Sequence, residues 1–244
     1  MKQVLAATTN MLARIRELEI TANNISNVTT PGYKRDQYFA NILEDQRRIN
    51  SNPASARNKA GLKMIERNIV DLSQGALHKT GNPLDVAING DGFFVLENEE
   101  NGEIYTRNGN FQISDEGFLI TNYGVKVIGQ GGEIFLQGGE VRISKDGNIS
   151  VGGELVDQLK IVKPVEGTKI IKRGNSEYQF ESEPISSEEG GSTIVQGFLE
   201  QSNVNPISAI VKLVALQRDF DSNQKMVQSF DEINKVSAND VGRI

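Results

Sequence analysis

The sequence predicts an α+β protein, with N- and C-terminal helices paired as a coiled coil and an all-β domain between them. Three observations carry this. Apolar residues recur at alternating spacings of three and four near both ends of the chain. Turn signals recur every ~8–12 residues through the middle. A proline bounds each helical stretch on its inner side.

At the N-terminal end Val4, Thr8, Met11, Ile15, Leu18, Ala22 and Ile25 form one a/d seam, a pattern that places them on a single helix face. Leu5 and Leu12 widen that face, and Arg14, Arg16, Glu17 and Glu19 lie opposite. Thr29-Thr30-Pro31-Gly32 should stop the helix near Ser26–Asn27, because proline disfavours helical geometry in the residue before it. At the other end Asn205-Pro206 supplies an N-cap followed by proline at the first helical position. Leu213, Leu216, Phe220, Asn223, Val227 and Phe230 then alternate three and four, thickened by Ile210, Val214 and Ile233, to about Ser237. Two amphipathic helices at opposite ends can pair at modest entropic cost, since loop closure grows only logarithmically with length. Thr8, Ala22 and Asn223 make the seam a weak one. The pair is therefore expected to stay loose in the monomer and to order when an assembly supplies further helices.

Residues 84–163 read as β. Asp85-Val86-Ala87-Ile88 leads through Gly90-Asp91-Gly92 into Phe93-Phe94-Val95-Leu96, and short runs follow between Gly-containing turns. Phe111-Gln-Ile-Ser-Asp-Glu-Gly117 echoes Val141-Arg-Ile-Ser-Lys-Asp-Gly147, which predicts two similar hairpins, each with a glycine at positive φ. Residues 40–70 are polar: Asn50-Ser-Asn-Pro53 reads as a loop, and Ala54 to Lys63 as either helical or irregular. The layout expected is residues 1–34 with 203–244 as paired terminal helices, 35–83 with 181–202 as connecting segments, and 84–180 as an outer β domain.

With 244 residues, no cysteine, no tryptophan and one histidine, the chain has no disulfide framework and no thiol chemistry. No apolar run approaches the ~18–20 residues of a membrane span, and the most hydrophobic stretch, Ile207 to Leu216, is broken by Lys212. Direct membrane insertion is not expected. Lys2, Gln3, Thr8, Thr9 and Asn10 interrupt the apolar core that a cleaved signal peptide needs, so the expectation is the cytoplasm or an export route that reads no cleaved signal. Residues 1–67 carry about +5 and the rest about −11, within a total of −6. The basic charges are interleaved with acidic ones and lack stacking aromatics, which argues against nucleic acid and for complementary surfaces in self-association.

A search for chemistry finds no catalytic, cofactor or metal site. His78 has no companion ligand or nucleophile. Gly90-Asp-Gly92 opens a strand and lacks the Gly-Lys-Ser/Thr of a phosphate loop. Asp91 and Asp146 lack the spaced oxygens of a calcium loop, and Glu99-Glu100 and Glu188-Glu189 are adjacent solvated pairs.

The stretch that stands out is Ala22-Asn23-Asn24-Ile25-Ser26-Asn27-Val28-Thr29-Thr30-Pro31-Gly32-Tyr33-Lys34-Arg35. Its own chemistry is that of an elaborate helix stop. It also resembles the signature of the axial proteins of the bacterial flagellum, the rod and hook family. Pro83–Phe94, Tyr105–Phe111 and Gly197–Asn205, the last followed by Leu216-Gln-Arg218, are similar to that family's central and C-terminal blocks. The resemblance implies a structural subunit whose paired terminal helices line a hollow helical tube, with the β domain outside. It implies export by the flagellar type III apparatus, and other rod proteins and surrounding ring proteins as partners in the periplasm. It makes Ala22, Asn23, Asn24, Ile25, Asn27, Thr30, Gly32 and Tyr33 an assembly motif. Val4, Met11, Ile15, Leu18, Leu213, Leu216, Phe220, Val227 and Phe230 become the helix seam. Within the family, Gly75–Asp85, the hairpin from Val127 to Val141 and Asp240–Ile244 resemble the proximal-rod members more than the distal-rod ones. A periplasmic binding module using Tyr105, Phe111, Phe118 and Tyr123 stands as the alternative.

Overall fold

A computed structural model describes residues 2–44, 62–98, 102–186 and 191–241. Its contacts divide the chain into two units, one of Met1–Ser26, Asp36–Ile69 and Asn205–Ile244, the other of Asn27–Arg35 and Val70–Val204.

The first unit holds the helices α1 (Lys2–Ser26) and α2 (Pro206–Val241), which pack against each other, and a two-stranded sheet of β1 (Asp36–Glu44) and β2 (Leu62–Val70). The predicted helix ends hold: α1 stops at Ser26, and Asn205 Oδ1 accepts from Ser208 N at 3.1 Å as a cap for α2. α2 runs past the end expected near Ser237. Part of the stretch that could be read as helical or irregular, 54–61, lies outside the described residues, and Leu62 onward is strand. The alternation that strand requires is masked there in sequence by charged residues among the apolar ones.

The second unit is the β body. In chain order it contains β3 (Leu77–Lys79), β4 (Val86–Asn89), β5 (Phe93–Asn98), β6 (Gly102–Thr106), β7 (Phe111–Ile113), β8 (Leu119–Thr121), β9 (Val127–Gly129) and β10 (Gly132–Glu133). There follow β11 (Val141–Ile143), β12 (Asn148–Val151), β13 (Glu154–Gln158), β14 (Ile161–Lys163), β15 (Ile170–Gly174), β16 (Glu177–Phe180), β17 (Ile185–Ser186), β18 (Thr193–Gln196) and β19 (Phe198–Glu200). The main sheet runs β10-β9-β5-β6-β16-β15, with β14 sharing the β9 edge of β5 and β17 beyond it. Residues 35–83 and 181–202, expected as connecting segments, contain β1 to β3 and β17 to β19. Of these, β3 pairs with β19, while β18 pairs with β4 of the β body.

The run Phe93-Phe94-Val95-Leu96 has a direct structural reason. Successive side chains of a strand point to opposite faces. Phe94 and Leu96 join one core with Val86, Ile88, Ile104 and Phe111, while Phe93 and Val95 join a second with Tyr105, Val162, Tyr178 and Phe180. The sheet is buried on both sides along Phe93–Leu96, so these four successive residues of its central strand are all apolar.

The two echoing hairpins are alike in detail. β7 and β8 close through Ser114 N to Phe118 O (2.8 Å) and Gly117 N to Ser114 O (2.9 Å). β11 and β12 close through Ser144 N to Asn148 O (2.9 Å) and Gly147 N to Ser144 O (3.0 Å). In each the serine Oγ accepts a further backbone bond, from Phe118 N or Asn148 N at 3.1 Å.

Candidate functional site

The motif spanning the last turn of α1 and the link after it is held by side-chain bonds of several kinds. Ser26 Oγ donates to Ala22 O at 3.1 Å, and Thr30 Oγ1 to Asn27 Oδ1 at 3.2 Å. Asn24 does more than end a helix. Its Nδ2 donates to Asp36 O and its Oδ1 accepts from Asp36 N, both at 2.9 Å, so a side-chain amide stands in for a strand at the start of β1. Ala22 and Ile25 are half-buried and Asn23 is exposed.

Gly32 sits at φ +68, and a Cβ there would lie 2.3 Å from Asn108 N. Only glycine tolerates both the left-handed geometry and that approach. Its N–H donates to Glu200 O at 2.8 Å, and its carbonyl accepts from Tyr178 Oη at 3.3 Å. Tyr33 is buried, with Lys172 Nζ 4.0 Å above its ring.

The next residue, which in the sequence is only one member of the motif, is the centre of the site. Lys34 is fully buried and donates from Nζ to Glu200 Oε1 at 2.6 Å and to Ser73 O at 2.8 Å. Glu200 also accepts from Arg107 Nη1 at 3.2 Å through Oε2, and from Gly75 N at 2.8 Å through Oε1. Arg107 Nη2 donates to Gly90 O at 2.9 Å, and its Cζ stands 5.1 Å over the Phe93 ring. The three charged side chains are at most 2% exposed. Two buried cations thus share one buried carboxylate. Burial pulls the Lys34 ammonium below the usual lysine range, against the opposing pull of Glu200. Burial likewise lowers the Arg107 guanidinium, and Glu200 and Asp91 oppose it.

A second polar layer surrounds the first. Arg35 Nε donates to Asp71 Oδ2 at 2.9 Å, and Arg35 N to Asn203 Oδ1 at 2.8 Å. Asn203 Nδ2 donates to Asp71 O at 2.9 Å and Ser73 O at 3.0 Å. Burial pushes the Asp71 carboxyl up, but the Ser73 N–H and the Arg35 guanidinium outweigh it and hold it below the usual range. A separate node joins two further blocks: buried Asp85 accepts from Asn110 Nδ2 at 2.7 Å and Asn82 Nδ2 at 3.2 Å through Oδ1.

On the helices, Met11, Leu18, Leu213, Phe220 and Val227 are half-buried and Leu216 is buried, whereas Ile15 is exposed. The side chains of Val4 and Phe230 lie outside the described residues. His78 is exposed on β3 opposite Leu199. Among the described residues no cluster of His, Asp and Glu is placed to hold a metal ion. The arrangement is one of buried structural polar contacts.

Sequence reasoning missed Lys34, Arg107 and Glu200 as a set because they are 73 and 93 residues apart along the chain. The available signal was that each lies inside one of the distinctive blocks.

Three family models match the chain. The flagella basal body rod protein model covers residues 5–34, the flagellar hook protein FlgE/F/G D1 domain covers 87–151, and the flagellar basal body rod FlgEFG protein C-terminal model covers 195–240. Lys34, Arg107 and Glu200 fall one in each. The chain is 34% identical to the flagellar basal-body rod protein FlgF of Caulobacter vibrioides, over 94% of this chain and 93% of that one. It is 33% identical to the FlgF rod protein of Salmonella typhimurium, over 89% of both. It is 30% identical to the FlgG rod protein of Buchnera aphidicola from Acyrthosiphon pisum, over 92% of this chain and 94% of the relative.

Proposed function

Because the chain belongs to the flagellar basal-body rod and hook family, whose members are structural and non-catalytic, we propose that it is a proximal-rod subunit. In this reading it joins other rod proteins in a hollow helical tube that transmits torque and passes exported subunits. The family assignment itself makes it a structural subunit of the flagellar axial structure that interacts with other axial proteins. The proximal position is supported by the resemblance of Gly75–Asp85, the hairpin from Val127 to Val141 and Asp240–Ile244 to the proximal-rod members. Export through the flagellar type III apparatus without a cleaved signal, a periplasmic location and contact with surrounding ring proteins belong to the same proposal.

The observation that carries the assembly reading is the state of α2. Over its described side chains only Leu216 is fully buried, while Ile207, Ile210, Val211, Val214 and Met226 are exposed. Complete transfer of such a side chain out of water is worth about 1.5–3 kcal/mol, and these, roughly half to three-quarters exposed, would gain a corresponding share. Repeated copies related by a screw operation would bury them in a continuous wall. The weak seam and the assembly motif then have one role, to order the terminal helices when neighbours arrive.

The test is electron microscopy of basal bodies isolated with this subunit labelled. Label confined to the inner, membrane-proximal end of the rod is the expected result. Label along the outer segment would instead make the chain a distal-rod subunit, and label absent from the axial structure would remove the rod reading altogether.

A further inference from the structure

We propose that the Gly32–Arg35 segment docks onto the β body only with or after β19, because Glu200 is the shared counter-charge for both cations at that seat. Lys34 Nζ lies 2.6 Å from Glu200 Oε1 and Arg107 Nη1 lies 3.2 Å from Glu200 Oε2, and all three side chains are removed from solvent. Seating Lys34 ahead of Glu200 would bring an ammonium beside a guanidinium with no carboxylate for either, in a seat that turns dry as the fold closes over it. An unpaired buried charge is among the least favourable arrangements a protein interior can hold. The reverse order carries no such penalty, since β19 can pair with β3 and Glu200 can meet Arg107 before Lys34 arrives.

The backbone follows the same logic. Gly32 N donates to Glu200 O (2.8 Å), Gly75 N to Glu200 Oε1 (2.8 Å) and Gln201 N to Ala76 O (2.8 Å). Asn203 Oδ1 takes the Arg35 N–H (2.8 Å). Every anchor of the N-terminal segment supplied by residues 200–203 is missing until those residues are in place. A chain made from its N-terminus therefore keeps the link after α1 undocked until residue 200 joins, whichever rod position the subunit occupies.

The test is pulsed hydrogen exchange during refolding of the full chain, followed at Gly32 and Lys34 against Gln201. Lys34 N donates to Tyr178 Oη at 2.9 Å and reports the docked segment. Gly32 N is itself bonded to Glu200 O, so Lys34 decides: its protection should appear with or after that at Gln201, and protection ahead of it overturns the proposal. In the native state, Glu200→Gln should speed exchange at Gly32 and Lys34 by at least about tenfold. In the Glu200→Gln background, adding Lys34→Met removes one of the two unpaired cations and should slow that exchange by at least about threefold. No slowing would mean that Glu200 acts through its hydrogen bonds alone, and the charge argument would fall. If Glu200→Gln does not fold, the triple variant Glu200→Gln/Lys34→Met/Arg107→Leu, with no buried charge left at the seat, should fold. A triple variant that stays unfolded overturns the proposal.

Discussion

Glu200 neutralises two buried cations, and that asymmetry sets what single substitutions should do. Glu200→Gln leaves Lys34 and Arg107 buried without a carboxylate and should destabilise the β body by about 3–5 kcal/mol. Lys34→Met leaves the Arg107–Glu200 pair intact and should cost less than half as much. Urea unfolding followed by tyrosine fluorescence checks both, and equal costs would contradict the shared counter-charge. Gly32→Ala is argued from geometry in the same way. Its positive φ costs about 1 kcal/mol for a side-chain-bearing residue. The 2.3 Å approach of its Cβ to Asn108 N forces a backbone shift worth about 1–3 kcal/mol more. Gly102, also at positive φ but with nothing within 4 Å of its Cβ, is the control: there alanine should cost only the conformational part.

Among the elements, the helix pair depends on little burial and on an ion pair between its members. Lys212 Nζ lies 2.8 Å from Glu17 Oε1, and Arg14 Nη1 lies 2.9 Å from Glu17 Oε2. Burial pushes the Glu17 carboxyl up, but Lys212 and Arg14 outweigh it and hold it below its ordinary value of 4.5. A carboxylate depressed in the folded state adds stability that is present above its unfolded pKa and lost as pH falls through the folded one. The helix pair should therefore hold its helicity at neutral pH and loosen below pH 4.5. Because Lys212 is half-exposed, Glu17→Gln should cost only about 0.2–1 kcal/mol and abolish most of that acid dependence. Circular dichroism at 222 nm against pH, for both forms, measures it.

At the scale of the molecule, the β body is a unit of its own that ends at Val204, and α1 and α2 belong to the other unit. A chain ending at Val204 keeps Lys34, Arg107, Glu200 and Asn203. It should fold with its β-sheet circular dichroism intact and fail to join rods. Rods that incorporate it normally would refute a role for α2 in assembly. Amides of Lys2–Ser26 and Pro206–Val241 should exchange quickly in the isolated subunit and slowly in the assembled rod. Equal protection in both states would show that the exposed stripe of Ile207, Ile210, Val211 and Val214 is not what assembly covers.

What the amino-acid sequence determined by itself was local and periodic. The helical character of α1 and α2, the Asn205-Pro206 start and the stop before Pro31-Gly32 are written in neighbouring residues. So are the twin hairpins at Gly117 and Gly147, because caps, turns and amphipathic faces are short-range physics. β2 was not legible, since its strand pattern is hidden among charges and its partner β1 lies across an intervening stretch. The Lys34–Glu200–Arg107 cluster could not be read either. Charged residues in a sequence default to solvated surface, and only the pairing of β19 with β3 brings a carboxylate from residue 200 to a lysine at 34. Tertiary structure alone decided that these blocks meet in a dry, shared site, because burial and counter-charge are properties of the assembled fold and of no single segment.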